Sequence, residues 1–182
     1  MASRLIAAIA ALAISGCAAH GGRLSEFEAA LAVQDSATAA LGAWCKAHAI
    51  ADPAAITAQP VRGEDAAPPA GLSDLLQTGA APGYRHVRLA CGPAVLSEAH
   101  NWYVPQRLTP EMNAALASSD TPFGRVAAPL RFTRERLAAR RGRAPGCPRG
   151  TVLSNRALLR LPDGKPLSYV VECYTQANIA GQ

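Results

Sequence analysis

Two charged residues set into apolar strands mark where chemistry could sit in this chain. Arg85 lies in Tyr-Arg-His-Val-Arg-Leu, residues 84–89, and alternation places it on one face with Val87 and Leu89. Glu172 lies in Ser-Tyr-Val-Val-Glu-Cys-Tyr-Thr, on one face with Val170 and Tyr174. Removing a guanidinium or a carboxylate from water costs several kcal/mol unless the charge is paired. One solution is a structural ion pair, or an edge position where one charge reaches water. The other is a pocket in which Arg85 binds an anion and Glu172 a hydroxyl, since the planar fork of Arg matches the two oxygens of a carboxylate. His86 and His100 alternate onto the polar faces and are expected in solvent. The four histidines, at 20, 48, 86 and 100, do not cluster along the chain, and no cysteine pair has Cys-x-x-Cys spacing. No metal site and no cofactor are expected. Serines lack a His/Asp partner at a recognisable spacing, and neither a phosphate loop nor a dinucleotide fingerprint is present.

The elements that must hold these residues can be taken in order. Ser25-Glu26-Phe27-Glu28 has the form of a capping box. It opens an Ala-rich segment to about Ala49, in which Leu24, Phe27, Leu31, Leu41 and Trp44 recur at helical intervals. Gln34-Asp35-Ser36 divides that segment into two helices. Residues 49–70 hold Pro53, Pro60, Pro68 and Pro69 and read as loop, with a short strand at Ala55 to Ala58; Leu72 to Gln77 adds a helical turn or two. A strand at residues 84–89, the turn Cys91-Gly92-Pro93-Ala94 and a return strand at 95–104 follow, with Trp102 and Tyr103 read as core. Thr109-Pro110-Glu111 opens a helix to about Ser118. Asp120-Thr121-Pro122-Phe123-Gly124 turns the chain, and Thr133 is expected to cap a helix through Arg140. The last hairpin pairs Val152–Leu161 with Leu167–Thr175 around Pro-Asp-Gly-Lys, where Gly164 takes positive φ without steric cost. Glu172 then faces Asn155 or Arg156. The pattern is one α+β domain with a mainly antiparallel sheet.

Of 182 residues 49% are apolar, enough for one core, and the net charge is +5. Much of the excess lies between Arg131 and Arg149, among glycines and prolines, with Phe132 the sole aromatic. That run reads as a solvated loop, and no nucleic-acid partner is expected. Met1 to Arg4 are positive and Leu5 to Ile14 apolar, too short to span a bilayer and suited to a signal peptide. Ile14-Ser15-Gly16-Cys17 resembles the lipobox of bacterial lipoproteins, with Cys17 acylated; a plain cut near Ala18 or Ala19 is the alternative. The expected division is a leader at 1–17, a tether at 18–24 and a domain at 25–182. The chain is expected to be exported and lipid-anchored at the cell envelope, facing the periplasm, and Ala18 favours the outer membrane. Four cysteines remain, which allow three connectivities. Cys45–Cys91 with Cys147–Cys173 is the pairing adopted, and four buried thiols are the alternative.

The order of these segments resembles the chorismate pyruvate-lyase family. Tyr84-Arg85-x-Val-x-Leu, the turn and return strand, the helix, Thr121-Pro122-Phe123-Gly124-Arg125 and Thr133-Arg134-Glu135 carry the likeness. So do Gln34-Asp35-Ser36-Ala37-Thr38 and the closing Leu-Arg-Leu-Pro-Asp-Gly-Lys-Pro-Leu hairpin with Val-Glu-Cys-Tyr. The likeness implies a twisted antiparallel sheet with flanking helices, an enclosed ligand cavity, and cleavage of chorismate to 4-hydroxybenzoate and pyruvate without cofactor or metal. It places the carboxylate-binding arginine on Arg85 and the acid that contacts the ring oxygen on Glu172. Backbone contacts fall on Phe123, where the family has Leu, and on Ala37, where it has Met. Glu98, His100, Asn101 and Trp102 stand where classical members are more apolar or carry Gly and Arg.

Three functions follow as expectations. The first is a lyase-like enzyme in which Arg85 and Glu172 are catalytic. The second is an exported, non-catalytic lipoprotein that binds an aromatic or cyclic carboxylate through Arg85, Phe123, Glu172 and Ala37. The third is a structural envelope lipoprotein. The first either escapes export or acts on a related substrate in the periplasm; in the exported forms the lipid anchor makes the membrane a partner.

Overall fold

From residue 56 onward, runs of alternating pattern pair into six antiparallel strands in the computed structural model, which describes residues 22–63 and 65–180. They are β1 (Ile56–Pro60), β2 (Gly83–Cys91), β3 (Ala94–Tyr103), β4 (Thr133–Arg141), β5 (Leu153–Arg160) and β6 (Pro166–Tyr174). All belong to one sheet in the order β1-β2-β3-β6-β5-β4. The helices are α1 (residues 22–32), α2 (Ala37–Ala47), α3 (Leu72–Leu76), α4 (Pro110–Ser118) and α5 (Phe123–Val126). This is the α+β domain expected. Cys17, the leader and residues 18–21 of the expected tether lie outside the described residues.

Local chemistry sets several boundaries. Ser36 separates α1 from α2 and caps α2, its Oγ accepting the Ala39 N–H at 3.3 Å. Thr109 caps α4 in the same way, with Pro110 in the first turn. Gly164 takes φ 83° in the last hairpin, where the Asp163 carboxylate accepts the Lys165 N–H. The register there is settled: Glu172 faces Asn155.

Two expectations are corrected. Ser25 and Glu28 lie inside α1 and do not open it; both accept from the Arg141 guanidinium, tying α1 to β4. Residues 133–141 form an edge strand, not a helix, and the start of the basic run is therefore sheet and not loop. Leu137, Ala138, Ala139 and the arginines favour helix locally, but pairing with β5 along the whole segment overrides that preference. The arginines blunt the exposed edge against pairing with another chain.

Pleating sends alternate residues to opposite faces of the sheet. Val87, Leu89, Ala99 and Tyr174 pack with α1 and α2 through Phe27, Leu31, Leu41 and Trp44. Toward the far end of the same face, Leu159 and Val170 meet Leu116, Phe123 and Phe132. Trp102, Leu158, Tyr169, Val171 and Cys173 look the other way, against α3 and the segment around Ala144 and Cys147. Two disulfides, Cys45–Cys91 and Cys147–Cys173, tie α2 to β2 and that segment to β6. Closing loops of 46 and 26 residues is worth roughly 3–4 kcal/mol each through the unfolded chain.

Candidate functional site

The α-covered face holds a cavity of about 50 Å³ that brings together all four site residues expected from the sequence: Arg85, Glu172, Phe123 and Ala37. Val87, Leu89, Ala99, Leu159 and Val170 supply an apolar floor, and Asp35, Ser36 and Thr38 with Ala37 bring the start of α2 to the wall. The first N–H groups of a helix point out of it unpaired, so this end of α2 adds positive potential. Gly124 permits the close approach of α5: a Cβ there would lie 2.4 Å from Ser36 Oγ and 2.9 Å from Thr38 Oγ1.

Arg85 reaches from β2 to the turn before α5. Its guanidinium donates to the Thr121 carbonyl at 3.1 Å and to the Ser119 carbonyl at 3.3 Å. Burial lowers its pKa, a sign that its charge is not fully compensated. Among the described residues no carboxylate pairs with it. The same side chain also lines a neighbouring groove of about 640 Å³ bordered by Ser118, Ser119 and Asp120. Arg85 thus stands between the inner cavity and an outer cleft.

Glu172 is differently placed, and its partner is a residue the sequence reading passed over. Arg134 of β4 binds both carboxylate oxygens, Nη1 to Oε1 at 3.1 Å and Nη2 to Oε2. Both side chains are more than nine-tenths buried. Tyr174 donates to Glu172 Oε2 at 2.8 Å. Burial alone would lower the pKa of Arg134, but the Glu172 charge outweighs it and raises the value. Burial first, and then the Glu172 charge, push Tyr174 well above its ordinary pKa. The Arg134 backbone N–H donates to Asp35 Oδ1 at 2.8 Å, docking the α1–α2 link onto β4. Thr133-Arg134-Glu135 was visible in the sequence, but reading it as a helix start hid the inward face that strand alternation gives Arg134.

The opposite face also departs from expectation. His86 and His100 are both buried, 5% exposed each, and do not face solvent. They are register partners on β2 and β3, with ring centroids 4.1 Å apart, and Glu98 lies two residues along β3. His86 Nε2 is 3.0 Å from Glu98 Oε1, and Arg88 Nε donates to Glu98 Oε2 at 3.0 Å. Burial opposes the Glu98 charge, but bonds from Arg88 and His86 prevail and hold its carboxyl below the usual range. Burial and the neighbouring His86 pull His100 below its usual value. The expectation that the histidines do not cluster is therefore corrected: strand register assembles residues that sequence distance keeps apart.

No family model matches the chain. It is 42% identical over 173 residues to a Sinorhizobium fredii protein described as uncharacterized protein y4mC, covering 84% of this chain and 73% of that one. Among solved structures, the possible transcriptional regulator YydK of Bacillus subtilis superposes with TM-score 0.47 at 14% identity. That match covers 70% of this chain and 61% of YydK, so the chain spans less than two thirds of that structure. A GntR-family transcriptional regulator from Bacillus cereus superposes with TM-score 0.46 at 9% identity, covering 70% of this chain and 96% of that one. At these scores the likeness carries nothing about activity. Nothing in these descriptions supports the labels drawn from the leader and the resemblance. Three of these solved neighbours are described as possible, putative or GntR-family transcriptional regulators, and a fourth only as a Staphylococcus aureus gene product; none is described as a lyase, a lipoprotein or an outer-membrane or periplasmic protein. Those labels and the lipid-anchored membrane partner are set aside, and the exclusion of nucleic acid is withdrawn with them.

Proposed function

The chain belongs to the family of the Sinorhizobium fredii protein y4mC, and we propose that it is a binding domain for a small organic carboxylate held by Arg85. The observation that carries this reading is the contrast between the two arginines of the cavity wall. Arg134 is neutralised by Glu172, whereas Arg85 has only carbonyl partners among the described residues. The cavity therefore holds one uncompensated positive charge, reinforced by the start of α2. A carboxylate satisfies both.

Size narrows the ligand. About 50 Å³ is roughly a third of the ~150 Å³ cavity that admits benzene. A compact acid of acetate or pyruvate size fits with little rearrangement, and an aromatic or cyclic acid requires a wall residue such as Phe123 to move. The elimination reaction is not carried forward, because Arg134 and Tyr174 already make three hydrogen bonds to Glu172, of the roughly four a carboxylate can accept, and tie it to the scaffold.

Calorimetry with acetate, pyruvate, benzoate, 4-hydroxybenzoate and chorismate tests the reading. A saturating ligand at 100 times its Kd stabilises the fold by about 2.7 kcal/mol, which thermal unfolding registers independently. Arg85→Ala should abolish both signals while the domain stays folded. Equal binding by wild type and Arg85→Ala, or no binding by any member of the panel, overturns the proposal.

The two disulfides support a further part of the same reading, that the chain matures in an oxidising compartment. Thiol labelling of freshly extracted protein should require prior reduction at residues 45, 91, 147 and 173; labelling without reduction would count against it.

A further inference from the structure

We propose that His86, Glu98 and His100 form a binding site for a divalent transition-metal ion, on the face of the sheet opposite the Arg85 cavity. The three side chains each offer one donor atom, and these atoms lie within 4.8 Å of one another. Two ligands of a tetrahedral ion, each about 2.0–2.1 Å from it, stand roughly 3.3 Å apart. The 3.0 Å between His86 Nε2 and Glu98 Oε1 is already close to that spacing, and the remaining approach is within reach of side-chain rotation. Two imidazoles and one carboxylate suit zinc, cobalt, nickel or copper; magnesium and calcium prefer oxygen throughout.

The surroundings are those of a built site. All three residues are buried on paired strands, so their backbones are fixed by the β2–β3 ladder. Outer contacts orient the donors: Tyr84 Oη holds His100 Nδ1 at 2.9 Å, and Arg88 holds the second oxygen of Glu98. Such contacts steer metal ligands and tune their affinity. Cys173 is the register partner of Glu98 on β6, and its bond to Cys147 fastens a roof over the cluster. Beside the cluster lies a recess of about 280 Å³, bordered by Arg143, Gly146 and Pro148. It provides an entry path and room for water or an anion as a fourth ligand. The roof comes from the stretch read in the sequence as a solvated basic loop.

The test uses the tag-free full chain with its disulfides intact, stripped by chelator and titrated with Co²⁺ and Zn²⁺. One ion per chain is expected, with a visible ligand-field spectrum for Co²⁺ that Zn²⁺ abolishes. His100→Ala and Glu98→Gln should each weaken binding by roughly a hundredfold, and Arg88→Ala by roughly tenfold through loss of orientation. His48→Gln, remote from the cluster, should change nothing. If His100→Ala fails to fold by circular dichroism, Glu98→Gln decides alone. Absence of stoichiometric binding of either ion, or binding unchanged in Glu98→Gln, overturns the proposal and leaves a hydrogen-bonded network only. Carboxylate binding at Arg85 stays intact in these variants, so the two sites stand or fall separately.

Discussion

Arg134 grips both oxygens of Glu172 in a buried, two-pronged ion pair that joins the edge strand β4 to the central strand β6 across β5. The pair is more than nine-tenths out of water, so its worth lies in not being broken. Removing one partner of a buried pair costs about 3–5 kcal/mol, whereas replacing both by apolar residues is often neutral or stabilising. Glu172→Gln and Arg134→Ala should each lower the unfolding free energy by that amount in urea titration. The double variant Arg134→Met/Glu172→Leu should recover most of it. Equal losses in the single and double variants would mean that the pair is not the source of the effect.

Tyr174 gives the molecule an alkaline weakness. It is buried beside the Glu172 carboxylate, and its folded-state pKa lies well above 10.0. Above pH 10.0 the unfolded chain releases this proton and the native state retains it, so the native state binds more protons and stability falls as pH rises. The contribution is whole below the unfolded value and is lost as pH climbs toward the folded one. Thermal unfolding between neutral and alkaline pH should show this decline, and Tyr174→Phe should flatten it. A residual slope belongs to Tyr84 and Tyr169, which burial also raises.

Gly124 has no freedom to gain a side chain. A Cβ would press on the Ser36 and Thr38 hydroxyls, the first of which caps α2. Gly124→Ala should cost about 1–3 kcal/mol through overpacking. It should also displace the start of α2 from the cavity wall, weakening carboxylate binding in calorimetry even at temperatures where the variant is fully folded.

Phe123 is placed to limit the size of what enters. It is buried between Tyr103, at a ring-centroid distance of 5.6 Å, and the cavity. Phe123→Ala should destabilise the domain by about 3–5 kcal/mol. The same variant should bind benzoate or 4-hydroxybenzoate more tightly than wild type while leaving acetate binding little changed. Weaker binding of the ring acids would show that Phe123 contacts the ligand and does not exclude it.

The sequence made some of this readable and hid the rest for physical reasons. The period-two pattern around Arg85, Val87 and Leu89 identified the cavity face, because one strand's alternation is a local property. The Asp163-Gly164 turn and the caps at Ser36 and Thr109 were readable for the same reason. β4 was not, since Leu137, Ala138 and Ala139 favour helix and only β5, a dozen residues later, imposes the strand. The Arg134–Glu172 pair spans 38 residues and depends on that strand. His86 and His100 looked polar and therefore exposed; what buries them, together with Glu98, is a roof fastened by Cys147, far along the chain.

The pleat of β2 and β3 puts Arg85 and His86 on opposite sides of one layer, each a single residue from the other's environment. A substitution on one side leaves the other's chemistry untouched, so the two faces are free to diverge independently over evolutionary time. Insertions and deletions are another matter. One residue gained or lost between Gly83 and Val87 would exchange the faces, sending the guanidinium toward the histidines and an imidazole into the cavity. This stretch of the chain should therefore tolerate changes of letter far better than changes of length.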